Sequence, residues 1–99
     1  MSYRLSEDAD ADLFAILIKG VERFGMTHAV AYRRSIERAL ERLASFPEIA
    51  RLRKEITPPI RAYPHRPFVI LYDVEPNGDV LIQRLRHERE DWSSDPING

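Results

Sequence analysis

The sequence predicts an α+β domain, a helical hairpin packed on one face of a small antiparallel sheet, in the order β-α-α-β-β-β. Three observations predict it. Asn77-Gly78 separates two apolar runs, Phe68–Tyr72 and Asp79–His87, and Asn-Gly is the strongest short-range hairpin signal because both residues tolerate φ > 0 in a type I′ turn. Upstream lie two stretches with apolar residues at helical spacing. They are joined by only two or three residues, so they must run antiparallel. Strands this apolar need a covering layer, and the two helices supply it.

In chain order, Ser2–Leu5 reads as a first strand with Tyr3 and Leu5 on one face. Ser6 is placed to cap the helix that follows, and Glu7, Asp8 and Asp10 favour its positive end. The acids between Glu7 and Asp12 are read as capping and solvating groups rather than a metal site. This first helix runs to Phe24, with Leu13, Leu17, Val21 and Phe24 as its stripe and Phe14, Ile16 and Ile18 beside it. It is apolar on more than one face. The surplus face is expected to be an exposed patch of the kind that marks a partner site. Gly25 ends the helix in a left-handed conformation.

Thr27 is expected to cap a second helix running to Ser45, whose stripe is Ala29, Tyr32, Ile36, Ala39, Leu40, Leu43 and Phe46. Its other face, from Arg33 to Arg42, reads as solvated. Pro47 stops it. A connector from Pro47 to Pro59 is tacked to the core by Ile49, Leu52 and Ile56. Ile60–Tyr63 is a strand bounded by Pro64 and Pro67. One domain over residues 1–92 results, with 93–99 as a flexible tail.

Composition narrows the function classes. With 43% hydrophobic and 31% charged residues the chain reads as an ordinary globular protein. No apolar run is long enough to span a membrane. There is no cysteine, which excludes disulfide and thiolate chemistry. The opening residues lack the apolar core of a signal peptide, so a cytoplasmic protein is expected. Net charge is −1, which argues against a dedicated, sequence-specific nucleic-acid binder. The charge is nonetheless uneven: residues 33–66 carry nine basic and four acidic side chains. Thirteen of the fifteen cations are arginine, the side chain that forks carboxylates and phosphates.

His28, His65 and His87 share no metal-ligand spacing, and neither a glycine-rich phosphate loop nor a serine nucleophile motif occurs. No metal or cofactor is expected. The remaining constellation is Arg61, Arg84, Arg86, His87 and Asp91. Arginines beside a histidine can serve phosphodiester cleavage, the one for developing charge and the other for proton transfer. The same residues can equally form ion pairs that pin the C-terminal end, with Asp91 the partner of a buried Arg84. Residue chemistry favours the second reading.

The chain resembles the ParE toxins, a branch of the RelE/ParE superfamily, from Ser2 to Trp92. The resemblance rests on Tyr3-Arg4-Leu5-Ser6, Leu43-Ala44-x-Phe46-Pro47, Ile60-Arg61 and Val69-Ile70-Leu71-Tyr72. Above all it rests on Val80-x-Ile82-x-Arg84-Leu85-x-His87-x-Arg89-x-Asp91. It implies a small cytoplasmic toxin without catalytic activity that poisons DNA gyrase. It also implies a ParD-type antitoxin that neutralises the toxin in a hetero-oligomer. The family's Arg-x-x-His maps to Arg84 and His87, its following acid to Asp91 and its mid-chain arginine to Arg61; with Trp92 these are the target-binding candidates. Ala50, Arg86 and Glu88 depart from the family pattern. An antitoxin helix is expected on Phe14, Leu17, Ile18, Val21 and Tyr32, with Arg33 and Arg53 at its rim. The alternative is the RelE branch, which cleaves messenger RNA on the ribosome. It places a tyrosine near the C-terminus and uses lysines, whereas here no tyrosine follows Tyr72 and the lysines are Lys19 and Lys54. A non-toxic binding module ranks third.

Overall fold

The computed structural model describes residues 2–98; Gly99, the last residue of the expected tail, lies outside them. The elements are β1 (Tyr3–Leu5), α1 (Glu7–Phe24), α2 (Met26–Ser45), β2 (Leu52–Arg53), β3 (Ile60–His65), β4 (Phe68–Val74) and β5 (Val80–His87). The five strands form one sheet in the order β1-β5-β4-β3-β2, with the helical hairpin on one face. The fold class is the α+β one that the sequence predicts. Beyond β3, which runs through Pro64 to His65 instead of stopping at Tyr63, two features of the sheet differ. It is mixed, because β1 runs parallel to β5, with Tyr3 opposite Val80 and Leu5 opposite Ile82. Parallel neighbours need a long crossover, and here the crossover is most of the domain. The second difference is β2, whose two residues pair antiparallel with Ile60 and Arg61 and are too few to show a period.

Ser6 caps α1 as expected. Its hydroxyl accepts the Ala9 N–H at 3.0 Å and donates to the Gln83 carbonyl at 2.8 Å, so the cap also ties the helix to the sheet. Gly25 has φ 88° and ψ 168°, a positive φ but not the left-handed helical conformation. It caps both helices: its N–H reaches Val21 O at 2.9 Å and its carbonyl accepts from Ala29 N–H at 3.1 Å. A one-residue reversal needs a φ that glycine adopts without steric cost. For the same reason Thr27 is no cap. It is already inside α2, which starts at Met26 without a side-chain cap.

The inner core lies between helices and sheet and includes Ala9, Ile36, Leu40, Leu43, Ile70, Tyr72 and Ile82. The working stripe of α1 is Ala9, Leu13 and Ile16; Phe24 is 65% exposed rather than part of it, and so is Phe46 beyond α2. Tyr72 is fully buried and donates its phenol proton to Pro47 O at 2.7 Å. A second core covers the opposite face of the sheet: Ile56, Ile60, Ala62, Val69 and Leu71, with Trp92 and Ile97 packed against them. The expected flexible tail therefore has a structural role. Over residues 93–98 it is a run of turns with Pro96 buried.

One irregularity positions the candidate site. Leu71 pairs with Arg84 but Tyr72 pairs with Ile82, which leaves Gln83 as an extra residue in β5. Such a bulge inverts the alternation of everything beyond it. Val80 and Ile82 face the helices; past the bulge Leu85 and His87 do so, and Arg84 and Arg86 turn to the outer face beside Leu71 and Val69.

Candidate functional site

Arg84 is the most tightly held of the expected target-binding residues. Its Nε donates to Asp12 Oδ2 at 2.7 Å and its Nη2 to Asp12 Oδ1 at 3.0 Å, while Nη1 donates to the Ile97 carbonyl. The hydrogen bonding to Asp12, more than the charge of that carboxylate, raises the affinity of this guanidinium for its proton. Asp91 is not the partner. It is exposed and accepts from the hydroxyls of Ser93 and Ser94, at 3.4 and 2.7 Å. Asp12 is the residue that sequence reasoning passed over as a solvating acid. It had a signal: three residues after Ala9 and four before Ile16, it lies in line with the buried stripe of α1.

Arg86 is 5% exposed. Its guanidinium donates to Glu90 Oε2 at 2.8 Å and to the carbonyls of Asp95 and Pro96 at 3.1 and 3.0 Å. Glu90 Oε1 in turn accepts the His87 N–H at 2.9 Å. This backbone donor, and after it Arg86, hold the Glu90 carboxyl below its usual range. The two arginines thus bind the C-terminal segment through its carbonyls and fix the end of β5.

The other candidates are dispersed. Arg61 lies opposite Tyr72 on the helix side of the sheet and donates to Ala50 O at 2.6 Å, so Arg61 and Arg84 occupy opposite faces. His87 is on the helix side, edge-on to Phe68 with ring centroids 5.5 Å apart. Trp92 packs on the outer core, with the Arg53 guanidinium 5.5 Å from its ring centre. Arg61, Arg84 and His87 do not converge on one point.

The antitoxin candidates separate into groups. Phe14 is 67% and Ile18 44% exposed, and Leu17 and Val21 are half-buried beside them on the outward side of α1. Arg33 of α2 shares a shallow outer groove with Leu13, Phe14 and Leu17. Tyr32 faces the other way. Its hydroxyl donates to Arg66 O at 3.3 Å and its ring packs near His65 and Phe68. Arg53 is on the outer sheet face and not at this rim.

Tyr32 belongs instead to a cleft of about 660 Å³ between the hairpin and the far ends of β4 and β5, lined among others by Ile16, Phe24, Ala29, Phe68 and His87. Leu17 lines both this cleft and the outer groove. Among the described residues no group of three or more histidines and carboxylates could hold a metal ion, and no helix is long and apolar enough to cross a membrane.

Comparison with known proteins agrees with this geometry. The family described as "ParE toxin of type II toxin-antitoxin system, parDE" matches residues 3–92. Toxin ParE1 of Mycobacterium tuberculosis, from strains CDC 1551 and H37Rv, is 33% identical over 89 residues, which cover 90% of this chain and 91% of the relative. A chain of the solved structure "Chromosomal ParDE TA system from P. aeruginosa" has the same fold. It superposes with a TM-score of 0.75 at 24% identity, over 88% of this chain and 95% of that one. With the family match running from β1 through Trp92, the chain belongs to the ParE toxins of type II toxin–antitoxin systems.

Proposed function

We propose that this toxin acts in the cytoplasm by binding and inhibiting DNA gyrase rather than by cleaving RNA, and that a ParD-type antitoxin neutralises it in a hetero-oligomer. The observation that carries the non-enzymatic reading is the dispersal of Arg61, Arg84 and His87. Phosphodiester cleavage needs an acid, a base and a cation within hydrogen-bond reach of one phosphate. Here Arg61 and Arg84 are on opposite faces, and Arg84 is committed to Asp12 and to the C-terminal segment. The target-binding surface is the end of β5, with His87, Asp91 and Trp92 around a frame fixed by Arg84 and Arg86. Arg61 supports the fold from the other side.

The antitoxin's docking surface includes the outward side of the hairpin. Phe14, Leu17, Ile18 and Val21 form an apolar stripe that none of the described residues covers fully, and Arg33 stands at its edge. An amphipathic helix laid there buries the stripe.

Two assays with purified protein test this reading. Supercoiling by gyrase should fall as toxin is added and recover when antitoxin follows. Ribosomes translating a defined message should show no toxin-dependent cleavage. Cut message with unaffected supercoiling would replace the gyrase reading with the RelE-type ribonuclease. No effect in either assay would leave a binding module.

A further inference from the structure

We infer that an arginine row on α2, Arg34, Arg38 and Arg42, contacts the phosphate backbone of the duplex DNA that gyrase holds. This rests on the gyrase reading above and adds a nucleic-acid contact to it. The three side chains are exposed and recur every fourth residue, so they share one side of the helix. Successive members are about 6 Å apart along the axis, four residues at about 1.5 Å each. Among the described residues none of the three has a carboxylate within 4.0 Å. The acids of the same helix lean the other way: burial first, and then the charges of Glu37 and Glu41, push up the Tyr3 phenol of β1. The row lies toward β3 instead. Ser35 Oγ is 3.0 Å from His65 Nε2, and burial, then the charge of Arg38, hold the His65 ring below the ordinary histidine value. In this way α2 sorts its charges, glutamates toward β1 and arginines toward β3.

The make-up of the row selects the occupant. A protein partner is held by aromatic or aliphatic anchors at the centre of a contact. This side of α2 offers none, since the residues beside the arginines are Ala31, Ser35 and Ser45. What it offers is a repeated guanidinium, which forks phosphate oxygens and needs no pocket. A polyanion whose charges recur along a backbone fits that pattern, and duplex DNA is the one present when gyrase works. The chain's net charge of −1 keeps it from holding free DNA tightly. The contact therefore counts where gyrase brings toxin and duplex together. Position agrees with this. One turn before the row, the Tyr32 ring is 6.3 Å from that of Phe68, which is 5.5 Å from that of His87 on the proposed target-binding surface. The row starts beside that surface and leads away from it for about 12 Å of helix.

The experiment measures toxin binding to purified gyrase, alone and loaded with duplex DNA, over a series of salt concentrations. Three proteins are compared: the parent, the triple variant Arg34→Gln, Arg38→Gln, Arg42→Gln, and the corresponding triple lysine variant. Glutamine and lysine are both good helix formers, and the exposed positions leave the core untouched. The parent is expected to bind DNA-loaded gyrase about tenfold or more tighter than gyrase alone. Three phosphate contacts should steepen the dependence of log Kd on log salt by about 2.7 when DNA is present. The glutamine variant should bind gyrase alone like the parent and lose both the gain and the added slope. The lysine variant keeps the charge and should keep most of the slope. If DNA gives the parent no gain, or if the gain survives in the glutamine variant, the row does not meet DNA. Equal weakening of the glutamine variant with and without DNA would give the row to a protein face of gyrase. Weakened antitoxin binding with the DNA gain intact would give it to the antitoxin. Either result overturns the proposal. A parent that binds gyrase in neither state fails the gyrase reading itself, and this inference with it.

Discussion

Asp12 and Arg84, 72 residues apart in the chain, meet through two hydrogen bonds, and the same carboxylate accepts the Leu85 N–H at 3.0 Å. The contact solves an edge problem. Three-residue β1 covers β5 only as far as Ile82. Beyond it the backbone of β5 would be open to water or to another strand. Side chains of the α1 end close it instead: Ser6 Oγ takes up Gln83 O and Asp12 takes up Leu85 N–H.

Removing Asp12 should therefore cost more than an ordinary surface ion pair. The two side chains are only 18% and 15% exposed, and Asp12→Ala strands both a guanidinium and a backbone donor. We expect a loss of about 3 kcal/mol, as for breaking a buried pair from one side. Asp12→Asn keeps an acceptor for Leu85 and should lose less. Urea unfolding monitored at Trp92 measures both, and equal losses would show that the Leu85 bond contributes nothing.

Ser6→Ala should destabilise by about 1 kcal/mol or somewhat more, because it deletes a helix cap together with a bond to the sheet. Ser6→Thr should retain most of the stability. A thermal melt of the two variants beside the parent decides it.

Truncation after Trp92 should uncover the outer core and leave Arg84 and Arg86 without their carbonyl partners. Pro96 is fully buried and Ile97 packs on that core, so the loss should be about 3 kcal/mol. The shortened chain should also bind more of a dye that reports exposed apolar surface. Unchanged unfolding would mean that 93–99 is dispensable to the fold.

Stability should fall as pH drops below neutral, for two reasons of the same sign. Burial, and then nearby Arg38, lower the His65 pKa from 6.5. The folded state then binds fewer protons at this ring than the unfolded one, so the contribution present above the unfolded value is lost as pH falls through the folded one. Glu90 is likewise lowered, by the His87 N–H and Arg86, and its contribution disappears at more acidic pH as the carboxyl protonates. His65→Gln should flatten the upper part of the profile and Glu90→Gln the lower part. Urea midpoints from pH 7.5 to about pH 3 separate the two.

Much of this protein was legible because it is local. Helical spacing gave both helix extents, Ser6 announced its cap, and Asn77-Gly78 marked the hairpin between β4 and β5, although Gly78 alone takes a positive φ and the turn is not the expected type I′. These signals lie within a few residues of what they specify. The motif from Val80 to Asp91 pointed to the family without any knowledge of contacts. What tertiary structure decided is which face and which partner. A single extra residue, Gln83, puts Arg84 and Arg86 on the outer face of the sheet, and no period in the sequence announces a bulge. The parallel pairing of β1 with β5, the choice of Asp12 over Asp91 for Arg84, and the docking of Ile97 on the outer core all join residues far apart in the chain. So does the separation of Tyr32 from Phe14. In each case several residue types could serve locally, and only the packing of the whole domain brings one of them within hydrogen-bond or van der Waals reach.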